Sequence, residues 1–383
     1  MFSFLRIAPM NRTAEIAEKT ERLVKLIARE GLGGLLINAQ HNFAWLTCGG
    51  GNGIDLSRDA GAGWLFVRGD GRRFVLANRI EMRRLLDEEL AGLDYEAIEF
   101  GWEEEKSDAN LVVKRARSLL SREQLIGSDL PVSGSDKVVE AAITRARGSL
   151  TAPEIERYRA LGRDAGDAVG RLVCKLEPGQ TEVEVARLVT HELAACGARS
   201  VVTLVAADDR IAKYRHPVPT ERRWREMVMV VVCARRSGLL ASLTRIVCAG
   251  SAPKDLVRRT EACARVNGAL LASTKPGVAG HELYQVAARG YELEGFPGEE
   301  RLHHQGGATG YRTREWVAHP RCEERVQASQ AFAWNPSITG TKTEESCLAF
   351  EDRVEIVTAS PGWPAISIEA GERKYVLPGI LTL

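Results

Sequence analysis

Apolar positions in the first third of the chain switch between two rhythms. Over residues 13–30, Ile16, Leu23, Leu26 and Ile27 recur at helical spacing, and Gly31 ends the run. Gly34-Leu-Leu-Ile-Asn38 then reads as a buried strand, followed by a loop and the segment Asn42-Phe-Ala-Trp-Leu46. Trp64–Val67 and Arg73–Leu76, separated by Gly69-Asp70-Gly71, predict a hairpin. A charge-rich helix over about 79–91 and an amphipathic one near 108–120 follow. Strands alternating with helices predict an α/β domain over residues 1–147.

The pattern restarts near Gly148. Thr151-Ala-Pro-Glu154 has the spacing of a capping box with proline in the first turn. Its helix carries Ile155, Tyr158, Leu161, Ala165, Ala168 and Leu172 on one face. Glu177-Pro-Gly-Gln breaks it, and Thr181-x-x-Glu184 caps a second helix that runs to Gly197. The apolar run Val228–Val232 predicts a buried strand. Capped helices followed by antiparallel strands predict an α+β domain over residues 148–383.

Composition narrows the function classes. The 52 basic and 51 acidic residues give a net charge of +1, which excludes the charge footprint of nucleic-acid or acidic-membrane binding. The eight cysteines are scattered with no C-x-x-C pair, which argues for a reducing cytoplasm over a zinc knuckle or disulfide framework. The segment MFSFLRIAPMNR lacks the apolar core of a secretory signal, and Met10 offers a second possible start. No run approaches the roughly 18 apolar residues of a membrane span.

Candidate chemistry lies between Arg199 and Glu345. Val231 to Arg245 contains Ala234, Gly238 and the pair Thr244-Arg245. His303-His304-Gln305-Gly306-Gly307-Ala308-Thr309-Gly310, Asn335-Pro336-Ser337 and Gly340-Thr-Lys342-Thr-Glu344-Glu345 follow in order. With Asn42–Thr47, Thr151–Ile155 and Glu177–Glu182, this series resembles the M24 family, the methionine aminopeptidase, prolidase and creatinase group. The two-domain layout is most similar to creatinase, prolidase and aminopeptidase P. The resemblance implies an α/β creatinase-like first domain and an α+β pita-bread second domain. It also implies where metal ligands belong. The family's two aspartates fall on Val231 and Ser242, its ligand histidine on Gly307 and its first glutamate on Asn335. Glu344 is the one ligand retained. Several oxygen or nitrogen ligands must converge to hold such ions, so the expectation is no metal and no cofactor.

The remaining polar residues suggest roles. His216, in Tyr-Arg-His-Pro-Val-Pro-Thr, matches the histidine that shuttles a proton in creatinase, and imidazole with an ordinary pKa of about 6.5 suits that task. The resemblance places His303 against a substrate carbonyl. His304 is expected to point away, as neighbours in a strand do. Arg314 could grip a carboxylate through its two-pronged guanidinium, or pair with Glu315 as scaffold. Glu344 could orient water, hold a cationic substrate group, or be neutralised by Lys342. Asn335 and Ser242 could contact substrate by hydrogen bonds, but no Gly-x-Ser-x-Gly elbow makes Ser242 a nucleophile. Cys233 reads as a small packing residue. Tyr311 and Trp334 could stack on a flat or cationic substrate, or pack in the core.

The leading expectation is a metal-independent, creatinase-like hydrolase of a C–N bond in a small molecule or short peptide-like substrate, with His216, Glu344 and His303 as catalytic residues. The alternatives are an inactive pseudo-peptidase that serves as a binding module, and a metal-dependent Xaa-Pro aminopeptidase or prolidase. No nucleic-acid or membrane partner is expected, and the resemblance implies a homodimer.

Overall fold

The computed structural model describes residues 12–383. The reading of the first eleven residues, including Met10, lies outside them. Two compact units meet in sequence at Pro153 and Glu154. Among the described residues no helix is long and apolar enough to cross a membrane.

In the first unit, helix Arg12–Arg29 buries the expected stripe of Ile16, Leu23, Leu26 and Ile27. The stripe also contains Lys19, which pairs with Glu15 at 2.6 Å and donates to the Trp45 carbonyl at 2.8 Å. A six-stranded mixed sheet runs in the order Glu96–Phe100, Arg73–Asn78, Ala60–Arg68, Gly34–Ala39, Ile126–Ser128, Lys137–Val138. The expected hairpin is present, with Trp64 opposite Leu76 and Val67 opposite Arg73. Helix Gln40–Leu46 follows strand Gly34–Ala39 directly, where the sequence suggested a loop. The charge-rich helix is shorter than its pattern, an α-turn at Met82–Arg84 leading into a wider π-turn at Leu85–Glu89.

The second unit begins with helix Ala152–Leu172, which buries Tyr158, Leu161, Ala165, Ala168 and Leu172. Helix Glu182–Ala195 starts at a complete capping box, with Thr181 Oγ1 accepting from the Glu184 amide and Glu184 accepting from the Thr181 amide. A four-stranded sheet follows in the order Ile380–Thr382, Leu239–Cys248, Met227–Arg236, Arg199–Ala207. A five-stranded antiparallel sheet runs Trp316–Val317, Gly306–Thr309, Gln330–Trp334, Glu345–Ala349, Val354–Ile356. Strand Leu239–Cys248 ties the two sheets together. Its Leu240 amide donates to the Gly310 carbonyl at 2.8 Å, and its Thr244 amide to the Glu344 carbonyl at 3.2 Å. Ser346 Oγ accepts from the Ser242 amide at 2.7 Å and donates to the Ser242 carbonyl at 3.0 Å. Helices Lys254–Ser273 and Gly280–Leu293 close one apolar core around Leu270, Leu283, Tyr291, Phe332 and Trp334. The expected pairing of an α/β first domain with an α+β second domain is what the chain adopts.

Candidate active site

Three imidazoles crowd together at the edge of the second unit. Arg215 fixes the loop that carries His216, donating to Ser337 Oγ at 3.2 Å, Thr339 Oγ1 at 2.9 Å and Glu299 at 2.5 Å. His216 itself faces solvent, while His303 is buried. The Nε2 atoms of the two lie 3.1 Å apart with the rings edge to face, and Ser337 Oγ stands 3.3 Å from His303 Nδ1.

His304 departs from expectation. Residues 303–305 are not a strand; they form a loop pinned by side chains. Gln305 Nε2 donates to the His303 carbonyl at 2.5 Å, and Gln305 Oε1 accepts from the Tyr291 hydroxyl at 2.6 Å. Freed from strand alternation, His304 lies beside His303, with ring centres 4.5 Å apart and 5.9 Å from His216. Its Nδ1 is buried without a hydrogen-bond partner. The doubled histidine was the available signal, and it was lost once a strand was assumed.

Burial keeps the His303 and His304 rings neutral at neutral pH. Desolvation, followed by the Lys342 charge, pushes His303 down to about 2. Desolvation followed by Arg314 takes His304 to about 4. His216 is lowered in the same way by partial burial and then by Lys342.

Below the imidazoles lies Glu344. Burial would raise its pKa, but Lys342 and Arg314 outweigh that and hold it ionised. Lys342 Nζ is 2.8 Å from Oε2, Thr244 Oγ1 donates to the same oxygen at 2.7 Å, and Arg314 Nη2 reaches Oε1 at 3.4 Å. Arg314 Nε has no partner. Lys342 therefore does neutralise Glu344, and a carboxylate so fully engaged is not free to act as a base. The adjacent Glu345 turns the other way and pairs with Arg245 at 2.8 Å. The Thr244-Arg245 and Glu344-Glu345 pairs thus interlock residue for residue.

Several expected contacts are absent. Trp334 is fully buried, stacks on Phe332 and donates its indole N–H to Thr274 Oγ1 at 3.0 Å, so it is core. Tyr311 is also buried and donates to Glu154 at 2.6 Å. Glu315 accepts the amides of Tyr311 and Arg312 at 3.0 and 3.3 Å and shapes that turn. Ser242 is fully buried, with its hydroxyl on Cys233 Sγ at 3.2 Å, which removes it from substrate. Asn335 is buried; its amide donates to the Gln305 carbonyl at 3.0 Å, and its Oδ1 has no partner. Asp208 accepts the amides of residues 225–227 and belongs to a turn.

The sequence pattern of metallopeptidase family M24 matches residues 156–358, more than half the chain. The chain belongs to family M24. No curated protein sequence matches it. Among solved structures it is similar to the Xaa-Pro dipeptidase from Bacillus anthracis, with a TM-score of 0.76, 17% identity, 96% of this chain covered and 100% of that one. The prolidase from Thermococcus sibiricus superposes with a TM-score of 0.77 at 17% identity, covering 98% and 100%. The N-terminal domain of FACT complex subunit SPT16 from chickpea does so at 0.66 and 11%, covering 90% and 96%. These likenesses establish the two-domain M24 peptidase fold.

A metallopeptidase family implies metal ions, and the residues at the positions that the resemblance assigns to its ligands do not suit them. Val231 packs with Ala206, Ile211, Met229 and Ile246. The hydroxyl of Ser242 is committed to Cys233. Gly307 has no side chain and no room for one, since a Cβ there would overlap the Trp316 carbonyl oxygen. Asn335 is a neutral amide. Glu344 already carries two internal cations.

Proposed function

We propose that this M24 protein is a hydrolase that cleaves a C–N bond in a small or short peptide-like substrate without the family's metal pair. The observation that carries the reading is the 3.1 Å contact between His216 and His303, near a carboxylate that internal cations neutralise. A neutral His216 accepts a proton from water as its oxygen bonds to the substrate carbon. The same imidazole then gives that proton to the departing nitrogen as the C–N bond breaks. His303, steadied by Ser337, holds His216 in place. Arg314 and Lys342 leave the cluster with one positive charge beyond Glu344, which suits a substrate bearing a carboxylate. Glu344 positions these two cations and takes no proton. That revises the base role expected for it.

The test follows amine release from guanidino acids, ureido acids and dipeptides, with and without chelator. Turnover should persist in chelator, and His216→Ala should lower kcat by about 100-fold or more. Turnover that requires Mn2+, Co2+ or Zn2+, or that survives His216→Ala, overturns the proposal. The saturation of Glu344 also favours a second reading, a pseudo-peptidase that binds such compounds without cleaving them. Saturable binding with no amine release from any of the three classes would select it.

A further inference from the structure

The three-histidine cluster supports a second inference, separate from hydrolysis. We propose that His216, His303 and His304 form a mononuclear site for a nitrogen-seeking divalent ion (Zn2+, Ni2+ or Cu2+) with a fourth position open to solvent. One ring nitrogen from each residue can be chosen so that all three lie within 4.8 Å of one another. In a tetrahedral site with Zn–N bonds of about 2.0–2.1 Å, neighbouring nitrogens stand roughly 3.3 Å apart. His216 and His303 already meet that spacing at 3.1 Å. The third nitrogen needs to close by no more than about 1.5 Å, which small side-chain torsions deliver.

Three further observations point to a ligand. His304 Nδ1 is buried with no protein partner, an expensive state for a ring nitrogen. Ser337 Oγ lies 3.3 Å from His303 Nδ1, the outer contact that fixes a ligating imidazole. His216 at the solvent edge gives an ion a way in. The place is not the one the family uses, since none of these histidines occupies the positions of Val231, Ser242, Gly307, Asn335 or Glu344.

Lys342 and Arg314 oppose any cation here, and Glu344 cancels one of the two charges. The residual repulsion selects for ions whose bonds to imidazole are strong, and against Mg2+ or Ca2+. An ion so held would occupy the His216 lone pair that hydrolysis needs, so metal loading and turnover would compete.

The experiment needs no substrate. Chelator-stripped, full-length protein is titrated with Zn2+ by calorimetry and with Co2+ by visible absorption. One ion per chain is expected. His216→Asn, His303→Asn and His304→Asn should each weaken binding at least about tenfold. His216→Asn, at the surface, keeps the test intact should a buried variant fail to fold. The proposal is overturned if no Zn2+ binds below about 100 µM, or if His216→Asn binds Zn2+ like the parent. Two ions per chain, both lost in Glu344→Gln, would instead mark a family-type centre.

Discussion

Glu344 shows how one position can keep its identity and change its work. The resemblance assigns it to a metal ligand, yet its oxygens are engaged by Lys342, Thr244 and Arg314. Lys342→Met should therefore strand a buried carboxylate and destabilise the fold by about 3 kcal/mol. Adding Glu344→Leu should recover most of that loss, and urea unfolding of the two single variants and the double variant checks it. Gly307 makes the converse point. Gly307→His puts back the family's residue but drives its Cβ into the Trp316 carbonyl. The variant should lose stability by about 1–3 kcal/mol and acquire no stoichiometric Mn2+ or Co2+, as read by thermal melting and elemental analysis. At this scale the sequence told much. The motif spacings single out His216, His303, Arg314 and Glu344. It missed His304, whose direction is set by Gln305 and Tyr291 rather than by local periodicity.

Helix Ala152–Leu172 carries the same lesson one level up. Its apolar face was legible, and the buried residues match that face. What the pattern could not reveal is how close the helix comes to the segment of residues 357–359. Cβ atoms added at Gly162 and Gly166 would collide with the carbonyls of Val357 and Ala359. Gly166→Ala should thus push the helix off that segment and cost about 1–3 kcal/mol, measurable as a lower urea midpoint. Of the two aromatic readings, core packing holds and substrate stacking does not, for a related reason. Tyr311 and Trp334 flank the site in sequence, but their strand and turn direct them into the core, toward Glu154 and Thr274. Proximity along the chain carried no information about facing.

Over the whole molecule, the two-unit plan was readable because each unit begins with its own capped or terminated helix. Acid tolerance of the first unit rests on Glu140. Burial would raise its pKa, but His41, Arg147 and Asn42 outweigh that and hold it at about 2. A carboxyl depressed from 4.5 stabilises the fold fully above that value and loses its contribution as pH falls toward 2. The unit should lose up to about 3 kcal/mol across that window, and Glu140→Gln should flatten the dependence in pH-resolved denaturation.

Lys342 and Arg314, which pair with Glu344 at 2.8 and 3.4 Å, are part of the polypeptide itself. The counter-charge at that carboxylate is therefore installed at translation. It does not depend on the cell's supply of trace elements, and neither a scavenging siderophore nor a swap for the wrong ion can alter it.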